Sequence, residues 1–492
     1  MPLRICCISA EMTPFAKAGG LADVSGALVK YLHAAGHDIR LFLPGYSSIK
    51  REGLERYPVE FLQNVPMRIG AHDFKFSVET ARLPGTQAFV YFIDCPAMFA
   101  RATLYTQDTD EYRRFLLLTH AAFLSCQRMG FAPQILHCND WHTAMGPLWL
   151  RSIYRWDKLF ASTRSVMAIH NIGYQGVVGA IAGGELLAGA GVELLHQEEL
   201  RSGRINMLRH GLLYADLLIT VSPSYAREIQ TAEYGLGLED TLRTRSNDLL
   251  GILNGVDYEE WDPRVDAYLP RHYGASQLGV KASLKEEFLT RVGLQSAERR
   301  ALIGMIGRLA TQKGLDLLFT ALPPLLAARD FNLVVLGTGD PQYEAFFTQL
   351  QKQHPGRVYF KQGYSDELAH WIEAASDMFL MPSRYEPCGL NQMYSLRYGT
   401  VPIVRRTGGL ADSVQHFDAT AGTGTGIVFN DYNEMAVSWA IGHALDLYQQ
   451  KGAWRRLVQN GMAQDFSWNR QVQRYVEAFE RLAQPGWVAG ST

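Results

Sequence analysis

Along this chain a short apolar run repeatedly stops at a glycine, a proline or a polar cluster and gives way to a helical pattern. The first instance is a strand over Arg4–Ala10, a loop over Glu11–Gly20, a helix from about Leu21 to Ala35 and a second strand over Ile39–Leu43, halted by Pro44-Gly45. Leu21, Val24, Leu28 and Leu32 keep the spacing of one helix face, and Gly36 supplies the stop. Strand, helix and strand in that order predict a right-handed crossover between parallel strands. That rhythm commits the chain to doubly wound α/β sheets, whose ligands collect beyond the carboxyl ends of the strands.

Further strands are predicted over Ala88–Ile93, Gln134–Cys138, Ser165–Ile169, Leu217–Val221 and Leu250–Leu253. Polar residues follow several of them: Glu11 and Lys17 after the first strand, Asn139-Asp140-Trp141-His142, then His170-Asn171, then Asn254-Gly255-Val256-Asp257. From about Tyr258 to Gly293 the rhythm lapses, with Trp261-Asp262-Pro263 and Leu269-Pro270 as punctuation. It resumes with strands over Leu302–Ile306, Asn332–Leu336, Arg357–Lys361, Met378–Met381, Val401–Val404 and Gly426–Phe429. Helices follow at about Asn433–Lys451, Trp454–Gln464 and Asn469–Leu482. At 492 residues the chain exceeds one ordinary core. The predicted organisation is a Rossmann-like domain over 1–258, a linker over 259–293, a second Rossmann-like domain over 294–468, and a last helical segment, 469–492, that crosses back to the first.

Charge and cysteine usage narrow the function. A net charge of −2 leaves no large basic field for a nucleic acid or an anionic membrane. No run approaches the roughly 20 apolar residues of a membrane span. The start, Met1-Pro2-Leu3-Arg4-Ile5-Cys6-Cys7, lacks a signal-peptide layout. The cysteines at 6, 7, 95, 126, 138 and 388 lie in apolar runs without metal or redox spacing, as buried thiols of a cytoplasmic protein do.

Two loops carry the clearest chemistry. Ser383-Arg384-Tyr385-Glu386-Pro387-Cys388-Gly389-Leu390-Asn391 connects a buried strand to a helix read from Gly389 to Tyr398, and so places one carboxylate, Glu386, at the sheet's carboxyl edge. The next such loop, Arg405-Arg406-Thr407-Gly408-Gly409, brings a glycine pair to the start of a helix. A carboxylate suits sugar hydroxyls, and glycine amides at a helix start suit phosphate. In the first half, Lys17-Ala18-Gly19-Gly20 repeats the theme with a cation added. It is neither a Walker A loop nor a G-x-G-x-x-G turn, and by itself it reads equally as a tight turn with a solvated lysine. His170 alone reads equally as a satisfied structural histidine, and Asp140 as a helix N-cap. Arg308 and Lys313 sit together in Gly307–Gly314, either neutralising a diphosphate or simply exposed. Tyr364, in Gly363–Asp366, either stacks on a base or packs. Ala18-Gly19-Gly20-Leu21-Ala22-Asp23 and Thr407-Gly408-Gly409-Leu410-Ala411-Asp412 echo each other, one per half.

With these motifs in order, the chain resembles the bacterial branch of the glycogen and starch synthase family over nearly its whole length. The resemblance rests on Lys17–Val24, His137-Cys138-Asn139-Asp140-Trp141-His142, His170-Asn171, Leu253–Asp257, Gly307-Arg308-Leu309 with Gln312-Lys313-Gly314, Ser383–Leu390 and Arg405–Asp412. It implies two Rossmann-like domains facing across a cleft, the GT-B type, with a site that is complete when the cleft closes. It implies glucose transfer from ADP-glucose to the non-reducing end of an α-1,4-glucan such as glycogen, with retention at the anomeric carbon and no metal or other cofactor.

By the same resemblance, Lys17, Gly19 and Gly20 contact the nucleotide sugar, Arg308 and Lys313 hold its diphosphate, and Tyr364 lies by the adenine. Glu386 holds a glucose hydroxyl beside Cys388 and Gly389. Leu390, Thr407, Gly408 and Gly409 help bind phosphate and sugar. His170 faces the developing oxocarbenium ion, and Glu11, Asp140, Asn171 and Asn254 line the sugar and acceptor side.

Some positions depart from the family pattern: Ala18 and Asn391 stand where threonine is common. Tyr394 stands where related transferases carry a second glutamate, and the loop around Met98–Arg101 is altered. The alternatives are UDP-glucose as donor, or a nucleotide-sugar or glucan-binding protein without turnover.

Overall fold

The structure is a computed structural model that describes residues 2–50, 54–187, 191–297 and 299–487. The chain divides into two compact units: Met1–Gly255 with Trp468–Thr492, and Val256–Ser467.

The sheet of unit 1 is built from β1 (Arg4–Ile8), β2 (Asp38–Pro44), β3 (Tyr57–Pro58), β4 (Val65–Ile69), β5 (His72–Arg82), β6 (Phe89–Asp94), β7 (Ile135–Asn139), β8 (Arg164–Ile169), β11 (Leu217–Thr220) and β12 (Leu249–Gly251). The pair β9 (Val177–Gly179) and β10 (Arg204–Asn206) stands apart from it. In space the main order is β12-β11-β8-β7-β1-β2-β6-β5-β3. From β12 to β6 every pairing is parallel. The chain therefore starts in the middle at β1, builds outward through β2 and β6, and returns beside β1 with β7. The two directions of winding part between β1 and β7, the point at which open α/β sheets bind ligands.

β3, β4 and β5 form an antiparallel extension that the sequence reading passes over. Its signal is visible: Val65, Met67 and Ile69 are buried while Pro66 and Arg68 are exposed, and Gly70 (φ 58) opens the turn to His72.

The helix Gly20–Ala34 buries Leu21, Val24, Leu28 and Leu32 as its spacing predicts. The helix Trp468–Leu482 packs against it and belongs to unit 1. Its apolar face, Val472, Tyr475, Phe479 and Leu482, is buried, and Phe479 and Tyr475 pack edge-on against His137 on β7. A Cβ on Gly255 would lie 2.7 Å from the Trp468 ring, so the chain leaves unit 1 and re-enters it in contact with itself. Of the expected segment 469–492, residues 488–492 lie outside the described residues.

Unit 2 carries β13 (Ala301–Ile306), β14 (Phe331–Gly337), β15 (Val358–Gln362), β16 (Met378–Met381), β17 (Val401–Arg405) and β18 (Ile427–Phe429). All are parallel, in the order β15-β14-β13-β16-β17-β18. The same switch recurs, here between β13 and β16.

The expected linker over 259–293 is corrected by the structure: it is an integral part of unit 2. Trp261 is sandwiched between His370 (3.8 Å) and Tyr394 (4.0 Å, interplanar 3°). The carboxylate of Asp266 is buried and accepts from Tyr398 Oη at 2.6 Å, with His370 Nδ1 at 2.9 Å. The helix Leu278–Val292 buries Leu284, Phe288 and Leu289, and Lys281 Nζ donates to Ala374 O and Thr400 Oγ1 at 2.8 Å each. Tryptophan, aspartate and proline read as punctuation in one dimension, whereas here they are core.

Two consequences for stability follow from unit 1. Phe479 is fully buried, so Phe479→Ala is expected to cost about 3–5 kcal/mol in urea unfolding, cavity included. The second consequence concerns pH. Burial holds His120 and His137 down to about 4, and His142 and His170 to about 3. Below about pH 6.5 the unfolded chain protonates these rings while the fold keeps them neutral, so the unfolded state binds more protons and stability falls with falling pH. Each fully titrating ring contributes a slope of about 1.4 kcal/mol per pH unit. Asp140, raised to about 7 by burial, and Glu373 of unit 2, raised to about 8 by burial, oppose them in the same window, but they are two groups against four. The urea midpoint is expected to fall between about pH 7.5 and about pH 5, and His142→Gln to flatten that dependence; an unchanged midpoint would contradict it.

Candidate functional site

In unit 2 the site grows from the two strands that flank the switch. β13 ends at Ile306, and its loop carries Arg308 and Lys313; β16 ends at Met381, and its loop carries Glu386. Parallel pairing of β13 with β16 brings both loops to one edge. Lys313 lies on a single turn, Thr311–Lys313, and its Nζ donates to Glu386 Oε2 at 2.7 Å. Ser383 Oγ donates to the same oxygen at 2.9 Å. The Glu386 side chain is 7% exposed, so this is a carboxylate almost out of water, held by an ammonium and a hydroxyl. Removing either charge would strand the other in a low-dielectric setting.

The backbone of the Glu386 loop is fixed from both sides. On one side Arg384 N–H donates to Gln312 O at 2.9 Å, and a Cβ on Gly314 would lie 2.0 Å from Pro382 O. On the other, Gly409 N–H donates to Glu386 O (3.1 Å) and Pro387 O (3.2 Å), and a Cβ on Gly409 would lie 2.1 Å from Cys388 O. The sequence reading gives Gly408 and Gly409 to phosphate and sugar. The structure gives the Gly409 amide carbonyl partners and supplies another reason for glycine there: only a residue without Cβ lets the two loops meet.

Thr407 caps the helix Gly408–Ser413, whose first turn holds Gly408 at φ 44. Gly389 has φ 71 beside buried Cys388, and Leu390 occupies the cap position of the helix Asn391–Tyr398, two residues later than the sequence reading starts it. Asn391 Nδ2 donates to Ile306 O at 2.9 Å, which ties that helix start to the end of β13. Gln392, fully buried, donates to Cys388 O, Gly389 O and Ser413 Oγ. Arg308 is exposed and reaches Gln312 Oε1 at 3.3 Å. Tyr364 follows β15, farther along the edge, 68% exposed and with its hydroxyl on Asp366.

Unit 1 gathers its residues around its own switch. The loop after β1 carries Glu11, whose Oε2 accepts from Ala18 N–H (2.6 Å) and Gly19 N–H (2.8 Å). Its Oε1 accepts from Tyr105 Oη at 2.5 Å. Glu11 therefore shapes the glycine loop, and the Gly19 amide expected at a ligand is occupied by it. Gly19 caps the helix that begins at Gly20. Lys17 is ion-paired with Asp23 at 2.8 Å.

After β7, Asp140 is the first residue of a short helix at φ 51, and Asn139, not Asp140, occupies the cap position. The Asp140 carboxylate reaches the neighbouring loop, accepting from His170 N–H (2.7 Å) and Asn171 N–H (3.4 Å). Burial pushes it up to about 7, against the pull of those two amides. His170 Nε2 lies 2.9 Å from Asn139 Oδ1, its buried Nδ1 has no hydrogen-bond partner among the described residues, and burial keeps the ring neutral. Asn171 Oδ1 accepts from Gly173 N–H. Asn254 follows β12 at the far edge of the sheet, buried, with no hydrogen bond recorded for Oδ1 among the described residues.

Sequence reasoning missed Tyr105, Ser383 and Gln392 as parts of these clusters. Ser383 lies inside the stretch singled out for Glu386, and its spacing of three residues was the available signal. Tyr105 sits in an irregular loop whose contact with Glu11 spans 94 positions, which no local pattern announces.

Residues 4–244 match the family model described as starch synthase catalytic domain, and residues 287–461 match glycosyl transferases group 1. The chain is 42% identical over 487 residues to a glycogen synthase of Koribacter versatilis, covering 98% of this chain and 99% of that one. It is also 42% identical to glycogen synthase 1 of Geobacter sulfurreducens, covering 97% and 96%. Among solved structures, the catalytic domain of starch synthase IV from Arabidopsis thaliana, bound to ADP and acarbose, superposes with a TM-score of 0.90 at 34% identity, covering 98% of this chain and 100% of that one. The chain therefore belongs to the glycogen and starch synthase family of glycosyltransferases.

Proposed function

We propose that the protein transfers glucose from ADP-glucose to the non-reducing end of an α-1,4-glucan, with retention at the anomeric carbon. The observation that carries this reading is the Lys313–Glu386 pair, 2.7 Å apart at the switch point of unit 2. A sugar nucleotide presents hydroxyls and a diphosphate within a few ångströms of each other, and this pair offers an acceptor for the first beside a cation for the second. The ADP bound to the starch synthase IV relative supports the nucleotide, and the glycogen synthase relatives support the glucan.

In this reading Arg308 and Lys313 take up the negative charge that grows on the diphosphate as the glycosidic bond breaks. Fixed cations in a partly desolvated site do that without reorganising, and no metal is assigned to the step. The helix start at Asn391 adds its amides and dipole. Glu386, already paired with Lys313 and Ser383, accepts from a glucose hydroxyl and orients the ring. Tyr364, exposed and flat, is assigned to the adenine.

Unit 1 contributes Lys17 and the Gly19-Gly20 turn on the donor side, and Asp140, Asn171 and Asn254 on the sugar and acceptor side. His170 is neutral, which removes it as an acid at neutral pH and leaves its polar backbone and ring to face the developing positive charge.

Incubation with ADP-glucose and glycogen is expected to release ADP and lengthen the glucan, and equimolar UDP-glucose to compete poorly. Absence of nucleotide release with folded protein and several glucan primers would refute the transfer. Preferential release of UDP would refute the donor.

A further inference from the structure

Arg114 is the one arginine among the largest fully buried side chains of the described residues, and no motif points to it. It lies in the first turn of the helix Glu111–Met129. Its guanidinium grips the preceding segment at two points: Nε donates to Met98 O at 2.8 Å and Nη1 to Leu104 O at 3.0 Å. Nη1 also reaches Glu111 Oε2 at 2.7 Å, and that carboxylate accepts from Thr106 N–H (3.1 Å) and Thr106 Oγ1 (2.6 Å). Leu104 and Thr106 are thus both held, and the residue between them is Tyr105.

Tyr105 Oη donates to Glu11, and Glu11 accepts from the amides of Ala18 and Gly19. A second arm reaches the same place. The Arg114 guanidinium lies 5.7 Å from the Tyr46 ring centre, and Tyr46 Oη donates to Ala10 O, the carbonyl just before Glu11.

We propose that Arg114 is a positioning residue for the nucleotide-sugar donor, acting through Tyr105 and Glu11 on the glycine loop Lys17–Gly20. A buried guanidinium is a costly way to fill space, because an apolar side chain of similar volume often stabilises a core as well or better. What an apolar residue cannot do is bond two carbonyls of one loop and a carboxylate at the same time. The loop concerned is the one that departs from its family's usual sequence around Met98–Arg101. The grip on it uses backbone carbonyls, so it survives changes in the loop's side chains. The inference rests on the donor reading proposed above.

The test is a double-mutant cycle of Arg114→Met and Tyr105→Phe, read as the dissociation constant of ADP-glucose by calorimetry without acceptor, the KM of donor and of glycogen, and the thermal midpoint. Each single substitution is expected to weaken donor binding about tenfold, and the double no more than about tenfold, because the path that Tyr105→Phe cuts is one that Arg114→Met has already lost. The glycogen KM is expected to stay within about twofold. Arg114→Lys keeps the charge but loses the fork, and is expected to resemble Arg114→Met.

Effects that multiply in the double variant, equal losses for donor and acceptor, or full rescue by lysine would each overturn the proposal. Should Arg114→Met fail to fold, Glu111→Gln takes its place in the same cycle, since it loosens Thr106 and leaves Arg114 in the core. An unmutated protein that neither binds nor turns over any nucleotide sugar would overturn the functional reading and this inference together. Normal turnover with a multiplicative cycle would overturn only the inference.

Discussion

The loop that carries Glu386 is held by contacts in which two backbones meet with no side chain between them. Gly314 lets one neighbour come against Pro382, and Gly409 lets the other come against Cys388. A side chain at either place would collide with a carbonyl oxygen that has nowhere to go, since that carbonyl belongs to the other wall of the loop. The position of Glu386 follows from that clamp, and the position of Lys313 follows from Glu386. The helix start at Asn391 is then pinned to β13 by one side-chain amide, so the anion-receptive end of the helix cannot drift from the two cations. Preorganisation of this kind is what lets fixed charges act on a leaving group without first rearranging.

The same logic appears in unit 1 with the signs changed. Its switch point holds carboxylates: Glu11 accepts from two backbone amides of its own loop and from the Tyr105 hydroxyl, and Asp140 accepts from backbone amides of the neighbouring loop. Around them the histidines are neutral because burial makes charging them expensive. The two units thus use one topology for different ends. Unit 2 presents cations near a buried carboxylate, and unit 1 uses carboxylates as internal struts for loops rich in glycine. A carboxylate used as a strut is a structural element even where its neighbours touch substrate, which is why Glu11 is better understood through what it holds than through what it faces.

Much of this was legible in the sequence, and the parts that were not share a cause. The strands of both parallel sheets announce themselves as short apolar runs ending in glycine or a polar cluster, and their carboxyl-end loops named Glu386, Lys313, Asp140 and His170 directly. Within the extension, β4 carries a plain alternation of buried and exposed residues and was available to the same reasoning. Harder was the stretch 259–293, where Trp261, Asp266 and Tyr273 look like loop residues until Tyr394, His370 and Tyr398 arrive from more than a hundred positions away to pack on them. Tyr105 and Arg114 were out of reach for the same reason. For Gly408-Gly409 a backbone role could not be told from a ligand role, since both demand the absence of a Cβ; at Gly19 and Gly20 an added Cβ would meet nothing within 4 Å, so no such backbone constraint applies there.

The central claim is that Glu386 holds and orients the transferred sugar beside Lys313, and does not serve as the base. The most direct measurement is the steady-state kinetics of Glu386→Gln with ADP binding measured alongside. The account predicts a fall in kcat of about a hundredfold or more, ADP affinity within about threefold of the unmutated protein, and residual activity whose pH profile keeps its shape. Undiminished transfer, or a loss of ADP binding with kcat intact, would contradict it.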